Sequence, residues 1–212
     1  MLDADAALRC AFDEAIGVLE ATRLAMLHPL GFLILAQTPS PAGGYSRLHL
    51  WERERLRPEI PHSHSGDLRS TILGGALANT LWRPAGASGT PVAIVAVRKD
   101  ARSVRRYFPM GPSAFEAEAP ETHLAGQSYF IAAGAFHSSE CLSDIAVTLV
   151  RRSPSLEAPA QIAITEDLSL DRRRRIAVPS ALRDASIALL HAERARLRLN
   201  YPAARCGDQC KP

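Results

Sequence analysis

The chain has 212 residues, 47% of them hydrophobic, and a formal net charge of +3. That is enough apolar material for one substantial core, so a single domain with extensions is expected. The charge is too small to argue for nucleic acid, no apolar run approaches a membrane span, and the N-terminus is acidic and amphipathic instead of signal-like. Cys10, Cys141, Cys206 and Cys210 are scattered, which makes a reducing cytoplasm the default compartment.

From Asp3 to about Leu27, the apolar residues Leu8, Phe12, Ile16, Leu19 and Met26-Leu27 recur at helical spacing. Asp3 or Asp5 would cap this amphipathic helix and Pro29 would stop it. Residues 1–29 therefore read as a helix laid on the domain, 30–155 as the domain itself, and 156–212 as a C-terminal extension. Within the domain, Gly31–Ala36, Arg47–Trp51, Ala76–Trp82, Val92–Val97 and Ala146–Val150 read as strands. Loops rich in proline, glycine and serine separate them. A polar connection holding Arg102, Arg105 and Arg106 precedes Tyr107-Phe108, and 116–123 reads as a turn with His123 exposed. Many short strands with helices only at the ends predict an antiparallel barrel or jelly roll. In the extension, Ser180 is a plausible cap, and Leu182, Ile187, Leu189, Leu190, Ala195 and Leu197 form a helical stripe. The basic run at 171–175 reads as solvated surface and the tail from Tyr201 as loose.

Two stretches carry chemistry. In Pro61-His62-Ser63-His64-Ser65-Gly66-Asp67, two histidines one residue apart would share a face if extended, and two imidazoles on one face can share a metal ion. In the second, Gly126 to His137, a short apolar strand pattern is bracketed by glycines and ends in a lone histidine. Together these stretches resemble the paired motifs of the cupin superfamily. The first motif falls on His62, His64, Leu68 and Gly75, and the second on Gly126, Ala132, Gly134, His137 and Cys141. Leu68 stands where the family has glutamate, Ala132 where it has proline, and Cys141 where it has asparagine.

The resemblance implies a metal held by His62, His64 and His137, in the manner of the three-histidine, cysteine dioxygenase-like cupins. Fe(II) is the metal it implies, although imidazole also suits Zn, Ni, Cu and Mn. Without an anionic ligand at Leu68, the site favours an anionic substrate that chelates the metal, with dioxygen as co-substrate. Tyr129, on the strand approaching His137, is a candidate catalytic hydrogen-bond donor. Arg69 and Arg47 are candidates for holding the substrate's anionic group, and His49 for supporting a ligand from a neighbouring strand. Each has a plainer reading: loop exposure for the histidine pair, core packing for His137, Tyr129 and His49, and pairing with Asp67 for Arg69. A metal-dependent lyase or isomerase that uses no dioxygen is the alternative enzyme, and a non-catalytic small-molecule-binding cupin the alternative beyond enzymes. Neither nucleic acid nor membrane is an expected partner. A homodimer is expected by analogy with cupin barrels.

Overall fold

Leucines and alanines at helical spacing bind the first element to the sheet beneath it. The computed structural model describes residues 4–21, 26–28, 30–40, 43–55, 60–86, 88–99, 105–154, 158–164, 176–177 and individual residues between 181 and 195. In chain order these form the helix α1 (Ala4–Ala21) and the strands β1 (Met26–Leu27), β2 (Leu33–Pro39), β3 (Tyr45–Glu52), β4 (Leu68–Gly74), β5 (Ala76–Pro84) and β6 (Thr90–Lys99). There follow β7 (Arg105–Ala117), β8 (Glu121–Leu124), β9 (Ser128–Ile131), β10 (Phe136–Cys141), β11 (Ile145–Arg152), β12 (Ala160–Ile164) and β13 (Ile176–Ala177).

The chain is mainly β, built from two antiparallel sheets as in a jelly roll. One runs β13-β1-β2-β3-β11-β4-β9 and the other β10-β5-β7-β6-β12, with β8 also paired to β5. On the first sheet, Leu33, Leu35, Leu48, Leu50, Leu73 and Leu149 form a cluster with Phe12, Ala15 and Leu19 of α1. Each such side chain removed from water contributes roughly 1.5–3 kcal/mol. The Arg151 guanidinium pairs with Glu14 of α1, which also accepts a hydrogen bond from Ser46. On the opposite face, Trp51, Ile72 and Ala146 meet Leu77 and Cys141 of the second sheet, so the two sheets enclose a shared core.

Parity along the strands decides what reaches that enclosed face, because residues opposite one another in a ladder share a side. Arg47, Val150, Ser70 and Tyr129 are partners in successive ladders and form one inward row. Tyr45, Arg152, Leu68 and Ile131 form the next. The turn between β4 and β5 requires glycine: Gly75 has φ +75°, and a Cβ there would lie 2.2 Å from the Ile145 carbonyl oxygen.

Several expectations are corrected. The first helix ends at Ala21, and Met26-Leu27, expected on its stripe, pairs instead with β2 and β13. The segment from Arg105 to Ala117, whose ends were expected as connection and turn, is the longest described strand; it pairs with β6 along most of its length, and its Phe115 packs with Val92 and Ile94 of that partner. His123, expected exposed, is on β8 and 5% exposed. Ala160–Ile164, expected in the extension, is an edge strand of the second sheet. Cys10 is disulfide-bonded, against the reduced state expected of scattered cysteines, whereas Cys141 is a buried free thiol.

The described residues between 181 and 195 are mostly helical. Leu190 is fully buried in the α1 cluster, Ile187 packs against that cluster, and Arg194 pairs with Asp13. The basic run at 171–175, Ser180, Leu182, Leu189 and the tail with Cys206 and Cys210 lie outside the described residues. No helix among the described residues is long and apolar enough to cross a membrane.

Candidate metal centre

The histidine pair lies on an extended loop instead of the strand its spacing suggests. Pro61 to Ser63 is clamped between β10 and β12. His62 N donates to the His137 carbonyl at 3.0 Å and His137 N to the His62 carbonyl at 2.9 Å, while Ser63 N reaches Gln161 at 2.8 Å. His62 thus bridges the two edge strands of the second sheet. Alternation survives without a regular ladder: Ser63 turns to β12, where its hydroxyl accepts from Gln161 N at 3.1 Å, and the flanking imidazoles turn to His137.

The three rings converge. Their centroids are 4.9 Å apart for His62 and His64, 4.6 Å for His62 and His137, and 5.1 Å for His64 and His137. One nitrogen from each falls within 4.8 Å of the others. His64 Nε2 and His137 Nε2 are 3.0 Å apart. Two imidazole nitrogens bound at right angles to one cation at about 2.1 Å stand about 3.0 Å apart, so this spacing suits neighbouring ligands of a single ion. His62 Nδ1 lies 3.0 Å from the Ile60 carbonyl. Donation there leaves Nε2 with its lone pair, the form a metal requires.

Burial and nearby charge favour the neutral form of two of the donors, His64 and His137. Burial, followed by the neighbouring imidazoles and by Arg152 and Arg47, holds His64 well below the ordinary imidazole range. Burial, then His62, does the same for His137. The residues present therefore fit a divalent metal ion: three converging imidazoles, two of them held toward the neutral form and already at ligand spacing. Leu68, at the position where the resemblance led one to look for glutamate, is buried with Ile131 and Val150 and gives an apolar wall.

The remaining candidates divide by face. Arg47 is on the inward row; its guanidinium sits 3.9 Å over the Tyr45 ring, and its Nε donates to Gln37 Oε1 at 2.6 Å. Arg69 is corrected. It is exposed and opposes Phe130 and Arg151, on the α1 side of the sheet and away from the histidines. His49 is inward but deep, its ring packed on Phe32 at 4.6 Å and on Trp51 at 6.1 Å, within the apolar core. Tyr129 is inward, stacked on His123 at 4.8 Å, and burial raises its pKa despite nearby Ser70, Asn79 and Ser139.

Sequence reading missed Arg152. It donates to the Tyr45 hydroxyl at 3.4 Å and to Ser65 Oγ, and it stands near enough to His64 to disfavour its protonation. The usable signal was its place two residues beyond Val150, on the same face of β11.

No protein-family model matches the chain, and no curated protein matches it. Among solved structures it is similar to a hydroquinone 1,2-dioxygenase in complex with Cd2+ and 4-hydroxybenzonitrile, at 9% identity over 56% of this chain and 61% of that one, with a TM-score of 0.28. It is also similar to a DMSP lyase structure, at 16% identity over 61% of this chain and 51% of the other, TM-score 0.30. An oxalate oxidase matches at 11% identity over 80% of this chain and 73% of that one, TM-score 0.36. The chain spans less than two thirds of the first two proteins' length. Overlaps this partial do not establish a shared activity.

Proposed function

We propose that this chain is a metal-dependent cupin oxygenase of the dioxygenase type, holding one Fe(II) ion on His62, His64 and His137. Its substrate is a small anionic, thiol or amino-acid-type molecule that chelates the metal. The observation that carries this reading is the convergence of three imidazoles beside two guanidiniums, with an apolar residue where a carboxylate ligand would stand. Donor type alone also suits zinc, nickel and copper, with manganese the weakest fit, and the choice of iron follows the sequence resemblance.

When bound, the metal would supply Lewis acidity and electron transfer between substrate and dioxygen. The chain's own residues set what is bound. Three neutral ligands leave the ion's positive charge uncompensated, which favours an anionic chelator. Arg47 and Arg152 give that anion a second attraction, their guanidiniums matching a carboxylate's two oxygens. The wall of Leu68, Ile131 and Val150 excludes water from one side. Tyr129, kept protonated by burial, can donate a hydrogen bond but is poorly suited to removing a proton. A lyase or isomerase working without dioxygen would need such a base, and a non-catalytic binder would need neither metal nor dioxygen.

Purification without added metal, followed by elemental analysis and oxygen-uptake assays with simple thiols and amino acids, tests the proposal. Stoichiometric iron with substrate-dependent uptake is the expected result. Zinc or nickel without uptake supports the lyase, and neither metal nor uptake supports the binder.

A further inference from the structure

Asp67 is the one acid between Ile60 and Gly75, three residues beyond His64. Its carboxylate stands outside the group of side chains that converge on a common ion. It accepts instead from the Ala133 backbone N–H at 2.8 Å, in the turn that leads into β10 and His137. The same turn grips His64. Gly134 N donates to the His64 carbonyl at 2.9 Å, and Ala135 N closes the turn onto the Ala132 carbonyl at 3.1 Å.

These bonds complete a ring. From the His64 carbonyl the chain runs to Asp67, crosses by that side chain to Ala133 and returns through Gly134 to His64. Asp67 is fixed on its other side by Ser153, the residue after β11. Its N–H donates to the Ser153 hydroxyl at 2.8 Å, and its carbonyl accepts from Ser153 N at 3.0 Å. Gly66 permits the close approach, since a Cβ there would lie 2.8 Å from the Ser153 and Pro154 carbonyl oxygens.

His62 and His64 differ in what holds them. His62 pairs with strands on both sides, and Ser63 N still reaches Gln161 of β12. Beyond Ser63 the segment leaves that strand, and the bond from Gly134 takes over. A hydrogen bond to an ionised carboxylate is roughly twice as strong as one between neutral groups, which suits Asp67 to hold the turn against which His64 rests. Its short side chain has two torsions, so the distance it imposes is closely defined.

We infer that Asp67 is a positioning residue of the metal centre: by tying the 132–135 turn to the loop that carries His64, it sets the His64 ring against the His137 ring. The inference rests on the proposed metal centre only for the purpose that this spacing serves. Its acting feature is the accepting oxygen at a fixed place and not the negative charge. Asparagine would keep that oxygen and alanine would remove it.

NMR of the metal-free full chain, with cobalt(II) titration of the same samples, tests this in the parent, Asp67→Ala, Asp67→Asn and Asp67→Glu. Asp67→Ala is expected to speed amide exchange at Ala133 and Gly134 at least roughly tenfold and to remove the nuclear Overhauser contact between the His64 and His137 rings. It should also weaken cobalt(II) binding roughly ten- to a hundredfold. Asp67→Asn should keep the ring contact and bind cobalt(II) within about threefold of the parent. Asp67→Glu keeps the charge but moves the carboxylate by one methylene; it should lose the ring contact, and it carries the test if Asp67→Ala does not fold. A ring contact absent from the parent, unchanged in Asp67→Ala, or kept by glutamate and lost by asparagine overturns the inference. Parent protein that takes up no cobalt(II) ends the metal reading, while the ring contact still decides the role of Asp67. Cobalt(II) bound equally by parent and Asp67→Ala, with the ring contact unchanged, leaves the metal reading standing and ends this one.

Discussion

His64 Nε2 and His137 Nε2, 73 positions apart in the chain, lie 3.0 Å from each other. Neither is held there by its own segment alone. His137 opens a strand of the second sheet, and His64 follows a loop pinned to that strand by reciprocal backbone hydrogen bonds at His62. The pinning places two lone pairs at a spacing that repels in the absence of a shared proton or cation, and so predisposes the pair to bind one.

If these imidazoles are ligands, His137→Ala and His62→Ala should each lower metal affinity by roughly two orders of magnitude, read as metal content after dialysis. The metal-free melting temperature should stay close to the parent's for His137→Ala, because that change also removes a buried Nδ1 that completes no hydrogen bond among the described residues. Undiminished metal content in both variants would sink the site.

Acid should destabilise the metal-free protein. Burial first, and neighbouring charges second, depress His64 and His137 in the folded state. The unfolded chain, with ordinary imidazoles, therefore binds protons that the folded chain refuses, and stability rises with pH across that window. The contribution is fully present above about pH 6.5 and is lost as pH falls below it. Melting curves at about pH 5 and pH 7.5 should differ by at least roughly 3 °C, and a His64→Gln/His137→Gln double variant should flatten the dependence. An unchanged slope in the double variant would assign the effect elsewhere.

Arg47→Met and Arg152→Met should weaken binding of an anionic chelator, with cysteine as probe, by roughly tenfold each. Either change should also ease protonation of His64, since both guanidiniums disfavour it. NMR titration of the His64 ring reads this directly. Arg69→Met, on the opposite face, should do neither. Equal losses at Arg69 and Arg47 would contradict the facial assignment.

Gly75→Ala should cost about 2–4 kcal/mol, because the new Cβ meets backbone atoms at a positive φ. Gly17→Ala provides the contrast. It lies in α1 with open space around its Cα, and should stabilise by about 0.5–1 kcal/mol. Paired chemical-denaturation curves check both, and a neutral Gly75→Ala would mean that the turn accommodates a side chain.

Much of the centre was legible in the linear chain because it depends on short-range geometry. The one-residue spacing of His62 and His64 brings their rings to one side even on an irregular loop, and the glycine before β5 marks a turn that other residues strain to make. Runs such as Val92–Val97 and Ala146–Val150 declare strands through their own composition. By contrast, Arg105–Ala117 hides its strand, since Pro109, Gly111 and Pro112 interrupt its pattern and its long ladder with β6 exists only in the folded chain.

The tertiary structure decided which residues look inward. Arg47 and Arg69 are chemically alike and both flank the motifs, yet one faces the histidines and the other α1. A shift of one position in a ladder exchanges the faces, and pairing with β11, some eighty residues beyond β4, sets that register. That pairing also brought Arg152 to His64, and the pairings of β4 with β9 and of β5 with β8 buried His123 against Tyr129. Local composition marked the three histidines and several of the strands. Contacts distant along the chain determined the surroundings of those histidines, because only folding brings those backbones into register.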